Sequence, residues 1–198
     1  MSDLELFIET ERREVLRTLE GLDPKVLEAA AQLIWDAEAQ GNRLHITGIG
    51  KPAHIAGYLA SLFSSTGTPA YFLHGTEAVH GSCGQLVPGD VVICISNSGE
   101  TAELKAMAQA IRNNGCKIIA VTGCAESWLA QFANIHLLAH VDEEGGQLNR
   151  VPRASILSET LVLQALSILL QEKRRLTPQE YVTFHPGGAL GHLRENEK

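Results

Sequence analysis

Apolar positions recur along this chain with two different periods, and the alternation between them divides it into helices and strands. Residues 3–21 place Leu6, Ile8, Val15, Leu16 and Leu19 on one broad face, which predicts an amphipathic helix. Asp23-Pro24 combines an N-cap acid with proline in the first turn, so a second helix opens there and runs to about Gln40, where Gly41-Asn42 stops it. Beyond this point short apolar runs alternate with helical patterns. Strands are predicted at 43–46, 70–73, 91–95, 117–121 and 135–140, and helices at 53–65, 77–81, 102–113 and 127–133. Each parallel crossover must travel back over the sheet, so this order predicts an α/β fold: a doubly wound, five-stranded parallel sheet with helices on both faces.

A polar, glycine-containing loop at 142–152 precedes a long helix over 154–172. Leu157, Leu161, Leu163, Leu166, Ile168 and Leu169 cover more than half of that helix, so it should pack on two sides, against its own sheet and against another subunit. A capped short helix and the irregular tail His185-Pro186-Gly187-Gly188-Ala189-Leu190-Gly191 close the chain. No repeat or linker interrupts it. One domain over 1–198 is expected, with two N-terminal helices in 1–41 and the sheet-bearing core in 42–192.

Composition narrows the function. With 198 residues, 44% hydrophobic and 20% charged, the chain has the makeup of a globular protein. No uninterrupted apolar run reaches the roughly 20 residues of a membrane span. The start, Met1-Ser2-Asp3-Leu4-Glu5, is acidic where a secretory signal would be basic and then apolar, so a cytoplasmic protein without membrane attachment is expected. A net charge of −7 argues against nucleic acid as a partner, though not against a small anion held by local dipoles. Cys83, Cys94, Cys116 and Cys124 form no C-x-x-C pair and no zinc spacing, which predicts reduced, structural thiols.

The chemistry concentrates in a few stretches. Ile95-Ser96-Asn97-Ser98-Gly99-Glu100-Thr101 follows a predicted buried strand and precedes a helix. Free backbone N–H groups, hydroxyls and the positive end of a helix dipole then converge, which makes an anion site without any lysine. Gly48-Ile49-Gly50-Lys51-Pro52-Ala53 fits a dinucleotide fingerprint, but the second strand ends in Leu73-His74 and supplies no carboxylate for a ribose. Lys51 reads better as a cation at the ligand-binding edge of the sheet. Glu77 and His80 stand three apart on a short helix; no third ligand joins them, so substrate contact or acid–base work fits better than a metal. Among Asp142-Glu143-Glu144, one carboxylate at the end of a strand could be desolvated and serve as a base. His185 sits in a tail that must be pinned by contacts of its own.

Together these stretches resemble the sugar isomerase (SIS) family, and within it the arabinose-5-phosphate isomerases. The resemblance is carried by Gly48-Ile49-Gly50-Lys51, Ser65-Thr66-Gly67-Thr68-Pro69, Glu77-Ala78-Val79-His80-Gly81, Ile95-Ser96-Asn97-Ser98-Gly99-Glu100 and Phe184-His185-Pro186-Gly187-Gly188-Ala189-Leu190-Gly191, in the family's order. It implies interconversion of D-arabinose 5-phosphate and D-ribulose 5-phosphate through a cis-enediol, without cofactor or metal, in a homotetramer with shared sites. By position it implies Lys51, His80, Glu103, Glu144 and His185 as catalytic residues, with Glu144 the first choice for the base and Glu103 the second. Ser96, Asn97, Ser98 and Thr101 would hold the substrate phosphate. Two departures stand near the expected site: Lys51-Pro52-Ala53 replaces Lys-Ser-Gly, and Pro152-Arg153-Ala154-Ser155-Ile156 keeps one hydroxyl of a Ser/Thr-rich segment. Longer relatives continue into paired regulatory domains, and this chain ends at Lys198. The alternatives are an isomerase of another phosphosugar and a non-catalytic phosphosugar sensor.

Overall fold

The computed structural model describes residues 2–198. Helices α1 (Asp3–Glu20) and α2 (Pro24–Ala39) come first, and Asp23 caps α2 by accepting the N–H groups of Lys25 and Val26. The sheet elements then alternate as β1 (Leu44–Gly48), α3 (Lys51–Ser65), β2 (Ala70–Phe72), α4 (Gly75–Ala78), β3 (Val91–Ile95), α5 (Ala102–Asn113), β4 (Lys117–Thr122), α6 (Trp128–Phe132) and β5 (Ile135–Leu138). Helices α7 (Ala154–Arg174) and α8 (Pro178–Phe184) complete the order. The five strands are all parallel and lie in the order β2-β1-β3-β4-β5, so the expected doubly wound sheet is formed.

The central strands read as unbroken apolar runs because both faces are buried. In β3, Val91, Ile93 and Ile95 join Leu59, Phe63, Leu163 and Leu166 on one face, under α2, α3 and α7. Val92 and Cys94 turn to the other face and meet Leu104, Met107, Ile111 and Leu129 of α5 and α6. The chain leaves β1 toward β2 on one side and returns as β3 on the other. The crevice between the loops after β1 and β3 is therefore the switch point, where such sheets bind ligands.

Three expectations change. The apolar side of α1 faces outward, with Ile8, Leu16 and Leu19 between 47% and 55% exposed. Thr10, Glu11, Glu14 and Thr18 are buried instead. Polar partners explain the inversion: Thr18 donates to Ser158 of α7, and Glu14 accepts from Arg13, Arg17 and the N–H of Asp142. The helix expected at 77–81 forms at Gly75–Ala78, and His80 lies beyond its end, where Gly81 adopts φ +117° and breaks the helix. Finally, α7 has 21 residues and a mean hydropathy of 1.4 over its apolar window, long and apolar enough by length and composition to cross a membrane. A count of uninterrupted apolar residues passes over it. It packs instead on α1, α2 and α3, buries Ser155, Ser158 and Glu159, and ends in Lys173 and Arg174.

Candidate active site at the carboxyl edge of the sheet

The loop after β3 is shaped to leave a helix end open. Ser96 Oγ accepts the N–H of Gly99 at 3.2 Å and Ser98 Oγ that of Glu100 at 3.4 Å, so the loop curls on its own hydroxyls. Gly99 takes φ +65°, and a Cβ there would fall 2.5 Å from Ser127 Oγ, so only glycine lets the loop pass under the start of α6. The carbonyl of Asn97 accepts the N–H of Gly123 at 2.9 Å, which ties the loop to the end of β4. Thr101 is the N-cap of α5, yet its hydroxyl makes no capping bond. The first-turn N–H groups of α5 therefore point outward beside a free hydroxyl, at the positive end of the helix. A phosphate would satisfy them.

Glu100 was not singled out in the sequence, and it shapes this loop. Its carboxylate accepts the N–H of Trp128 at 2.6 Å and the Lys105 ammonium at 2.8 Å. The bond from Lys105, and then that from Trp128, holds its pKa below the ordinary glutamate value. Its charge is thereby tied down beside an anion site that would otherwise feel it. The N–H donor on another element could not have been read from the sequence.

Lys51 opens α3 directly after β1, and Gly50 at the N-cap has φ +70°. Across the crevice Gly75 comes so close to β1 that a Cβ would fall 2.5 Å from the carbonyl oxygen of Gly48 and 3.1 Å from Met107 Sδ. That close approach seats the start of the 75–81 segment, which carries Glu77 and His80, against the end of β1 and Met107 of α5. Lys51, His80, Asn97, Ser98, Thr101 and Glu103 are exposed. In one chain the site is an open edge, and the clefts beside the C-terminal tail (Leu176, Tyr181, Leu190) and beneath β5 (Val26, Leu137, Val162) contain none of the predicted residues.

Helix α1 shapes the loop that carries Glu144. Asp142 pairs with Arg17, and Glu143 pairs with Arg13. Gly145 packs against Phe7 and Thr10. Two of the three adjacent acids are thus spoken for, and Glu144 turns the other way. Its Oε2 accepts the N–H groups of Arg153 at 2.8 Å and Ser155 at 3.1 Å, so Glu144 caps α7 in place of a side chain from the N-cap residue itself. Arg153 also donates to the carbonyl of Gly145 at 3.1 Å and closes the loop on itself.

His185 is elsewhere. Helix α7 runs from Ala154, beside Glu144, to Arg174, about 30 Å for its 21 residues. Arg174 then bonds Thr68 and pairs with Glu38, beyond the far end of α3. Phe184 lies near Gly67 at the same end, so the tail sits at the amino edge of its own sheet. There the His185 ring stacks on Tyr181 with centroids 4.4 Å apart, and its Nδ1 is buried without a partner among the described residues. The fold therefore gathers Lys51, Glu103 and the Ser96–Thr101 loop at one edge and leaves His185 at the other.

Residues 39–169 match the SIS domain family. An arabinose 5-phosphate isomerase KdsD of Escherichia coli O6:H1 is 40% identical over 155 residues, covering 77% of this chain and 47% of that protein. An arabinose 5-phosphate isomerase KdsD of Francisella tularensis is 38% identical over 187 residues, covering 93% of this chain and 57% of that protein. The chain thus spans about half the length of the curated relatives it matches. A solved structure from Escherichia coli CFT073, in complex with arabinose 5-phosphate, superposes with a TM-score of 0.82 at 34% identity, covering 92% of this chain and 95% of that one. The chain belongs to the SIS domain family.

Proposed function

We propose that this SIS-domain protein is a cytoplasmic aldose–ketose isomerase that interconverts D-arabinose 5-phosphate and D-ribulose 5-phosphate. The observation that carries the reading is the open N-terminus of α5, with Thr101 unengaged, across the switch-point crevice from Lys51. Two relatives named arabinose 5-phosphate isomerase and a structural neighbour in complex with arabinose 5-phosphate support the same substrate.

The phosphate docks on the first-turn N–H groups of α5 with Ser96, Asn97, Ser98 and Thr101, which places the open-chain sugar along the carboxyl edge. Glu144 removes the C2 proton, made acidic by the neighbouring aldehyde. The electron pair moves into a C1–C2 double bond, and the carbonyl oxygen becomes an enediolate that Lys51 stabilises. A proton passes from the C2 hydroxyl to that oxygen, and Glu144 returns its proton to C1, giving the ketose. Glu103 is the second choice for the base. His80 and His185 are the candidates for ring opening, which moves the proton of the anomeric hydroxyl to the ring oxygen as the bond from C1 to that oxygen breaks. No step requires a cofactor.

His185 reaches a site only if that site belongs to another copy of the chain. The outward apolar face of α1, with Leu157 and Ile168 exposed on α7, supplies surface for such an assembly. We therefore propose a homotetramer built from dimers, in which each 1–198 chain is one SIS domain lending its tail to a neighbour.

A second reading keeps the reaction and changes the sugar. The segment Pro152–Ile156, which departs from the Ser/Thr-rich pattern, lies directly against the Glu144 carboxylate through the N–H groups of Arg153 and Ser155. A different sugar hydroxyl pattern could be read there. Incubating the protein with arabinose 5-phosphate, ribulose 5-phosphate and a panel of hexose phosphates, with conversion followed by NMR, tests both. Turnover of a pentose 5-phosphate supports the first, turnover of another phosphosugar alone supports the second, and binding without turnover would make the protein a sensor.

A further inference from the structure

Beneath Glu144 lies a second carboxyl that the proposed reaction does not use. Glu159 stands on α7 four residues after Ser155, on the same face of the helix, and is fully buried. Neither of its carboxyl oxygens has a hydrogen-bond partner among the described residues, nor has Ser155 Oγ. Glu11 of α1 adds another buried carboxyl without a partner among the described residues. The other groups facing this spot are few. From α1 comes Glu14, already bonded to Arg13, Arg17 and the N–H of Asp142. From the loop come Glu144 and Arg153, and from α3 Tyr58 bonds Gln164 one turn further along α7. The Arg153 guanidinium is held by the carbonyl of Gly145.

The two carboxyls of α7's first turns have opposite surroundings. Glu144 receives two backbone N–H bonds at the N-terminus of α7. Glu159 receives no bond, and burial and then the charge of Glu144 push its pKa up to about 8.

We infer that Glu159 is a positioning residue for Glu144: it holds a proton beneath Glu144, so that Glu144 stays seated on the N-terminus of α7, and loss of that proton unseats Glu144. The inference rests on the proposal that Glu144 is the base. When Glu159 ionises, a new charge is enclosed beside the Glu144 and Glu14 carboxyls, and the nearby arginines are already engaged, Arg153 by Gly145 and Arg13 and Arg17 by Glu14. Glu144 is the member that can leave, because it is partly exposed whereas Glu159 is enclosed. Turnover then falls on the alkaline side for a reason that lies outside the substrate-contacting residues.

The test compares the pH dependence of kcat/KM for the wild type and Glu159→Gln with arabinose 5-phosphate. The wild type should lose about tenfold between pH 7 and pH 9, following a single group near pH 8, whereas Glu159→Gln should lose less than about twofold over the same interval. An unchanged alkaline limb in Glu159→Gln would overturn the inference. Glu159→Met, of similar volume and unable to titrate, takes its place if the amide variant does not fold. Infrared titration of the carboxyl band without substrate separates this inference from the reading of the function. A protonated carboxyl that disappears near pH 8 in the wild type, and is missing in the Glu159 variant, supports it even in a protein that turns over no sugar. Full ionisation of Glu159 at pH 6 sinks it even in an active isomerase.

Discussion

The Glu144 carboxylate accepts the backbone N–H of Ser155 at 3.1 Å, so the residue proposed as base is also the cap of α7. The two jobs respond differently to substitution. Glutamine keeps an acceptor oxygen for the helix end and loses the basicity, so Glu144→Gln should lower kcat by several orders of magnitude with little change in folding. Alanine removes both, and Glu144→Ala should in addition cost about 1–2 kcal/mol of stability, as loss of a helix cap does. Steady-state kinetics and thermal unfolding on the pair of variants read the two effects apart. Near-normal turnover in Glu144→Gln, with a dead Glu103→Gln, would move the base to Glu103.

Phosphate capture predicts a KM effect. Ser98→Ala should raise KM a few-fold to tens-fold, in keeping with the loss of about one charge-assisted hydrogen bond, and Thr101→Ala should add to it because that hydroxyl is free. Gly99→Ala should do more than either: φ +65° and the contact with Ser127 leave no room for a methyl, so the loop must shift. KM and inhibition by inorganic phosphate measure both. An unchanged KM in the Ser98→Ala, Thr101→Ala double variant removes the loop from the binding site.

The sheet and the loop after β3 were legible because each follows from local pattern. Val91–Ile95 has to be a strand covered on both faces, and the Ser/Gly turn before a helix has to present N–H groups. What escaped was set by contacts remote in sequence. Nothing near Leu16 says that α1 buries Glu14 instead, since the reason lies with Asp142 and Ser158 more than 100 residues away. Likewise Glu144 becomes a cap only when the loop folds back on Arg153, and His185 is carried away from its own site by the length of α7. Glu159 was hidden among leucines, and one charged residue on an apolar helix face was its only signal.

Stability should depend on pH through Glu159. Its folded pKa of about 8 lies above the ordinary glutamate value of 4.5, so the folded protein holds a proton that the unfolded chain releases between these values. Its contribution is fully present below about pH 4.5 and declines as pH rises toward 8, by up to about 1.4 kcal/mol per unit. Denaturant unfolding from pH 5 to pH 9 should therefore show a steeper alkaline loss in the wild type than in Glu159→Gln. Parallel curves for the two proteins would mean that Glu159 is already ionised in the fold.

Complementation tests whether the site is shared. His185 lies at the amino edge of its own sheet, while Lys51, Glu103 and the phosphate loop lie at the carboxyl edge, with the length of α7 between. A chain cannot close that distance without unpacking Arg174 from Thr68 and Glu38. If His185 contributes to turnover, it does so in a neighbour's site. His185→Ala and Glu144→Gln homo-oligomers should both be inactive. Mixed oligomers should recover part of the activity, because some sites then receive an intact His185 from one chain and an intact Glu144 from another. Charged substitutions on the outward face of α1, such as Leu16→Lys with Leu19→Lys, should weaken the assembly and lower activity together, as sedimentation and kinetics would record. A fully active monomer, or verified mixed oligomers without recovery, would show that each chain completes its own site and that His185 has no part in the chemistry.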